Sequence, residues 1–156
     1  MKLTYLPLTC ANYQQSYLIH SAGHLKPWSE KVFSDCLSEP YFAYQVLHAE
    51  HGAGYYIAMQ VLDEVTLMDI AVDKYQRGRG LGKKLLMHFI QQSQEQGMLT
   101  AWLEVRASNQ AAIHLYTSLG FTLVEQRKNY YPTPDGREDA LIMKCIISNA
   151  LNTLSY

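Results

Sequence analysis

The run Gln76-Arg77-Gly78-Arg79-Gly80-Leu81-Gly82 constrains this chain more than any other stretch. It separates an apolar segment, residues 68–72, from an amphipathic segment that opens at Leu81, so its glycines fall where a strand must turn into a helix. Such a junction suits an anion. A helix start offers backbone N–H groups without intrahelical partners and about half a positive charge, and glycines let a ligand approach the main chain. Arg77 and Arg79 add forked donors, although the same residues could close an ordinary surface turn. The stretch has neither the Gly-x-x-x-x-Gly-Lys-Ser/Thr loop nor the Gly-x-Gly-x-x-Gly dinucleotide spacing, so a cradle here is of another kind.

The 156 residues are expected to form one domain, residues 1–156, able to bury roughly two-thirds of its unfolded surface. Thirteen basic against fourteen acidic side chains leave a net charge of −1, which gives no global field for nucleic acid or an anionic membrane. Any anion site must therefore be local. Cys10, Cys36 and Cys145 are odd in number and widely spaced, which argues against a disulfide framework or zinc knuckle and fits a reducing cytosol. No apolar run reaches about 18 residues, and the amino terminus lacks a signal-peptide core. A cytoplasmic protein without nucleic-acid or membrane partners is the expectation.

Periodicity and turn residues predict a strand at residues 2–8, a short helix at 12–21, and a second helix capped by Ser29, with Trp28 able to staple onto Phe33. Residues 41–48 and 54–62 read as a hairpin around Gly52-Ala53-Gly54, and 65–72 as a third strand of the meander. A helix follows over 81–96 with Leu81, Leu85, His88 and Phe89 on one face, ended by Gly97, and then a strand over 99–105. Ser108 and Asn109 cap a further helix that Gly120 closes. Strands at 121–126 and 140–147 are joined by the turn-rich Pro132-Thr133-Pro134-Asp135-Gly136 loop. The fold class is α/β in the α+β sense: a mixed, mostly antiparallel central sheet flanked by helices.

Several residues could carry chemistry. Trp102, Glu104 and Arg106 share one strand face, and burial beside the indole would raise the Glu104 pKa above about 4.3, making it a better base near neutral pH. An ion pair of Glu104 with Arg106 or another surface partner is the competing reading. Tyr116, two helical turns after Asn109, could donate a proton or simply anchor the core. Lys83 and Lys84 read equally as phosphate contacts and as solvated charges. The pairs His20/His24 and His48/His51 have spacings that could share a metal, but neither has a third ligand nearby in sequence, so no metal is expected. Asn129-Tyr130-Tyr131-Pro132 could wall a substrate site or pack its own loop.

These residues together resemble the GNAT acyl-coenzyme A N-acyltransferases. Arg77-Gly78-Arg79-Gly80-Leu81-Gly82 matches that family's Arg/Gln-x-x-Gly-x-Gly/Ala signature in its strand-to-helix context. The match is closer downstream, where Trp102-Leu103-Glu104-Val105-Arg106-Ala107-Ser108-Asn109, Leu115-Tyr116, Leu119-Gly120-Phe121, Asn129-Tyr130-Tyr131-Pro132-Thr133 and Asp135-Gly136-Arg137-Glu138-Asp139-Ala140 resemble the RimI-type branch, the ribosomal-protein alanine N-acetyltransferases. The resemblance covers most of residues 27–147 and is weak before them, and Lys74 stands where the family often has proline. The tail, residues 148–156, runs past the usual end and is expected to fray.

Carried over residue by residue, the resemblance implies acetyl-coenzyme A as co-substrate. The backbone of Ile70, Ala71 and Val72 would pair with its pantetheine arm, and Gly78, Arg79, Gly80, Leu81, Gly82 and Lys83 would hold its pyrophosphate. Asn109 would contact it too, with Glu104 as general base and Tyr116 as general acid. The implied acceptor is the N-terminal alanine α-amine of a ribosomal protein, the eighteenth of the small subunit. Another protein N-terminus, a small amine, or an acyl-coenzyme A-binding module without turnover are the alternatives.

Overall fold

The computed structural model describes residues 2–154, with side chains described through Ala150. Its seven strands are β1 (Leu3–Pro7), β2 (Tyr41–His48), β3 (His51–Val61), β4 (Glu64–Val72), β5 (Thr100–Arg106), β6 (Thr122–Thr133) and β7 (Gly136–Ile146). The helices are α1 (Gln14–Gly23), α2 (Glu30–Asp35), α3 (Leu81–Glu95), α4 (Gln110–Ser118) and α5 (Ile147–Leu154). The strands form one sheet in the order β1-β2-β3-β4-β5-β7-β6, mostly antiparallel, with β4 and β5 parallel. This is the expected mixed sheet with flanking helices. No helix among the described residues is long and apolar enough to cross a membrane.

The chain divides into two compact units, one comprising the residues through Gln60 with Met68–Phe89, the other Val61–Leu67 with the residues from Ile90 onward. In the first unit β3 is buried from Gly52 through Ala58. Such a run, without polar alternation, is what a strand covered on both faces should show. Tyr55 and Ile57 join Leu8, Phe33, Leu37 and Ala43 in one cluster, with Phe33 edge-on to Tyr55 at 5.5 Å. Tyr56, one residue out of phase, turns to the opposite face and meets Phe89 of α3 at 5.6 Å. Ser29 caps α2 by accepting from Val32 N–H, and the Trp28 and Phe33 rings lie 6.4 Å apart, consistent with the expected staple.

The β2–β3 turn is not made by Gly52-Ala53-Gly54. Ala49 and Glu50 make it, with φ of 51° and 72°, and the glycines lie within β3. A Cβ on Gly54 would stand 2.8 Å from the Ala71 carbonyl oxygen and 2.9 Å from Leu85 Cδ1. Glycine there serves close approach of β4 and α3 rather than chain reversal.

In the second unit, residues 64–67 of β4 pair in parallel with residues 100–103 of β5, which pairs antiparallel with β7. Ala101, Leu103 and Val105 face the core, leaving Trp102, Glu104 and Arg106 on the other face as the alternation predicts. Tyr116 on α4 and Leu119 at its C-cap are buried. The largest departure is the β6–β7 hairpin. Residues expected to form a long loop continue the ladder to Thr133 and resume at Gly136. Side chains hold the irregular part: Asp139 accepts from Asn129 N–H at 2.9 Å and from Gln126 Nε2 at 2.6 Å. Pro132 is tolerated because β6 is the outermost strand in the sheet order. The expected tail begins within α5, whose Ile147 and Ala150 are buried; residues 155 and 156 lie outside the described residues.

Candidate active site

In the first unit, β4 ends in the half-buried residues Ile70, Ala71 and Val72. Asp73 then caps a single 3₁₀ turn, Lys74–Gln76, through the Tyr75 N–H. Gly78 and Gly80 follow with φ of 81° and 75°, and a Cβ on either would meet nothing within 4 Å. Both glycines are therefore required by backbone conformation, not by crowding within the protein. Lys84 N–H bonds to the Gly80 carbonyl at 3.1 Å, so the N–H groups of Leu81, Gly82 and Lys83 precede the first complete turn of α3.

The electrostatics of that start are unusual. The first turn of α3 holds no acidic residue, yet Lys83 and Lys84 lie in it and Arg77 and Arg79 stand just before it, all exposed. Cations at the positive pole of a helix oppose its dipole, and a bound anion relieves the conflict. These residues fit a pyrophosphate-bearing ligand on their own chemistry. Arg79 Nη1 folds back to His48 Nδ1 at 3.0 Å and Gln76 Oε1 at 3.1 Å, so His48 contacts the cradle loop.

Just ahead of Ile70, Asp69 gathers a network that sequence spacing missed. His20 Nδ1 lies 2.7 Å from Asp69 Oδ2, His24 Nε2 lies 3.1 Å from Oδ1, and the Tyr55 hydroxyl donates to Oδ2 at 2.5 Å. The third partner of the His20/His24 pair thus comes from 49 residues away from His20. The protons decide what this group can do. Trp28 N–H donates to His20 Nε2 at 2.9 Å, which puts the imidazole proton on Nδ1, the atom that faces Asp69. That nitrogen donates to the carboxylate and offers no lone pair to a cation. His24 Nδ1 meets the His20 carbonyl at 2.9 Å while its Nε2 meets the carboxylate, so both contacts are satisfied together when His24 is an imidazolium. Burial pushes the Asp69 pKa up, but hydrogen bonds from His20, His24 and Tyr55 outweigh it and hold it at about 2.

In the second unit, Glu104 sits on β5 with 36% of its side chain exposed, so the burial expected for it is absent: the sheet face that carries Trp102, Glu104 and Arg106 is open to solvent there. Its ion-pair partner is Arg127 Nη1, 3.5 Å away. Arg106 is committed elsewhere, to Glu138 at 3.0 Å and to the Pro132 carbonyl at 3.1 Å. Asn109 is the N-cap of α4, its Oδ1 accepting from Ala112 N–H at 3.2 Å. Tyr116 is buried on α4 with its ring 5.9 Å from Phe121. The cradle residues are thus contiguous in one unit, and Glu104, Asn109 and Tyr116 follow one another along β5 and α4 in the other.

Residues 9–121 match the acetyltransferase (GNAT) family model. The chain belongs to that family. GNAT acetyltransferases use acetyl-coenzyme A, and this chain is an acyltransferase of that type. It is 50% identical over 133 residues to the [ribosomal protein bS18]-alanine N-acetyltransferase of Escherichia coli (strain K12), covering 85% of this chain and 90% of that protein. The protein of the same name from Haemophilus influenzae is 40% identical over 141 residues, covering 90% of this chain and 96% of that protein. The crystal structure of the ribosomal-protein-S18-alanine N-acetyltransferase from Escherichia coli superposes with a TM-score of 0.90 at 46% identity over 94% of each chain. Arabidopsis thaliana NAA60 in complex with acetyl-CoA has a TM-score of 0.84 at 18% identity, covering 94% of this chain and 99% of that one, a likeness of fold alone.

Proposed function

We propose that this GNAT enzyme transfers an acetyl group from acetyl-coenzyme A to the α-amine of the N-terminal alanine of ribosomal protein bS18. The observation that carries the substrate is the 50% identity, over 90% of its length, to a relative named for that reaction. Both compact units then serve one catalytic domain, residues 1–156, and a ribosomal-protein substrate puts the reaction in the cytoplasm.

Acetyl-coenzyme A supplies the acyl group already activated as a thioester. The backbone of Ile70, Ala71 and Val72 binds its pantetheine arm, and Gly78, Arg79, Gly80, Leu81, Gly82 and Lys83 hold its pyrophosphate at the acid-free start of α3. Asn109 adds a contact beside its capping bond. Glu104 takes the proton from the attacking amine, directly or through a water, and the Tyr116 hydroxyl gives one to the departing sulfur. No covalent enzyme intermediate is required.

The choice of an α-amine has a physical basis. With a pKa of about 7.7 to 8.0 it is roughly a tenth neutral at pH 7, whereas a lysine near 10.4 costs about 3.4 kcal/mol more to deprotonate. A carboxylate base therefore works most easily on a chain terminus. Initial rates with acetyl-coenzyme A should rank an alanine-terminated bS18 peptide about 10²-fold in kcat/KM above the same peptide blocked at its terminus but retaining lysines. A higher kcat/KM for spermidine than for the peptide would move the enzyme to small-amine acetylation.

A further inference from the structure

We propose that His48 and Gln76 are positioning residues for Arg79: they clamp its guanidinium by one nitrogen and so present the opposite edge as a fork for the cofactor's pyrophosphate. The proposal rests on reading the cradle as the pyrophosphate site. Arg79 Nη1 lies 3.0 Å from His48 Nδ1 and donates to Gln76 Oε1 at 3.1 Å, and His48 Nδ1 lies 3.0 Å from that same oxygen. Among the described residues no protein group bonds Arg79 Nε or Nη2, and those N–H groups form the edge that can take two phosphate oxygens at once.

The sheet sets this clamp. His48 closes β2 on two ladders at once, opposite Leu3 of β1 and His51 of β3. One step along β2, from Val46 to Leu47, faces two along β3, from Gly54 to Gly52, which leaves Ala53 as the extra residue of a bulge. The Ala53 carbonyl accepts from Asp73 N–H at 2.8 Å, and the Asp73 carbonyl accepts from Gln76 N–H at 2.8 Å. The strand that carries His48 and the turn that carries Gln76 are thereby tied to neighbouring points of β3.

Arg79 needs such a restraint. It stands between Gly78 and Gly80, both at positive φ, and its long side chain is exposed. Of the four cations around the start of α3 it is the one that side chains hold among the described residues; Arg77, Lys83 and Lys84 have no such contact there. Either tautomer of His48 serves. With the proton on Nε2, Nδ1 accepts from Arg79; with the proton on Nδ1, the ring donates to Gln76 Oε1 and holds the amide whose oxygen takes Arg79. The rotamer freedom that an arginine loses on meeting a phosphate is thus lost before the cofactor binds.

A double-mutant cycle, read by calorimetric titration with coenzyme A, tests the clamp. Arg79→Ala should raise the Kd about 10- to 100-fold. His48→Ala and Gln76→Ala should each raise it about 2- to 10-fold. Added to Arg79→Ala, His48→Ala should change nothing further, because it acts only through that arginine. Dephospho-coenzyme A, which keeps the pyrophosphate and lacks the ribose phosphate, should show the same losses. Parent affinity in either clamp variant would overturn the proposal, as would an undiminished loss from His48→Ala in the Arg79→Ala background, which makes the histidine act on the ligand or the fold directly. A loss confined to coenzyme A would place the fork on the ribose phosphate and overturn it too. The reading of the cradle fails separately, if Arg79→Ala binds coenzyme A like the parent.

Discussion

Glu104→Gln should lower kcat by about 10²- to 10⁴-fold while leaving acetyl-coenzyme A affinity nearly unchanged. The substitution keeps size and shape while removing the charge that faces Arg127 and the basicity proposed for Glu104. The residues assigned to the pyrophosphate sit in the first compact unit, on a loop and helix start to which Glu104 does not belong. Single-turnover rates and a coenzyme A titration separate the two quantities. A module that merely bound acyl-coenzyme A would show the same affinity and no rate to lose, and a fully active variant would remove Glu104 from the mechanism. The sequence placed Glu104 on the strand face it shares with Trp102 and Arg106, but the burial expected of it is absent, and Arg127 stands 3.5 Å from its carboxylate instead.

Asp69→Asn should cost about 3 kcal/mol of stability, the lower end for breaking a buried charge pair because His24 keeps some solvent contact. For a chain of this size that is a fall of about 10 °C in Tm. The dependence on pH follows from the depressed pKa of about 2. A carboxyl whose folded pKa lies below its unfolded value contributes stability that is full above the unfolded pKa, about 4, and is lost as pH falls toward the folded one. Denaturant unfolding of parent and variant should therefore differ most near neutral pH and converge between about pH 4 and pH 2. A gap that persisted unchanged through that range would show that the Asp69 charge contributes nothing to stability.

What the sequence showed clearly was local. The cradle is legible because glycines, arginines and a helix start occur within seven consecutive residues, and Glu104, Asn109 and Tyr116 stand within thirteen. The Ser29 cap and the Trp28–Phe33 contact are local in the same way. Asp69 was invisible because its histidine partners are 45 and 49 residues away, on and just after α1, and only the tertiary fold brings them to β4. The β2–β3 turn was misplaced because glycine marks turns and close approaches alike, and Gly54 serves the second. The β6 bulge escaped because Asp139 and Arg137 hold it, side chains whose reach across the hairpin depends on a register that propensity does not give.

The proposed reaction turns on its acceptor, a terminal alanine α-amine. Incubating the purified protein with acetyl-coenzyme A and the unblocked bS18 N-terminal peptide, followed by tandem mass spectrometry, locates the modification directly. A single acetyl group is expected on the alanine α-nitrogen, with the lysine side chains of the same peptide unmodified. Acetylation of the lysines with a free terminus, or no modification of the peptide while small amines are consumed, would contradict it.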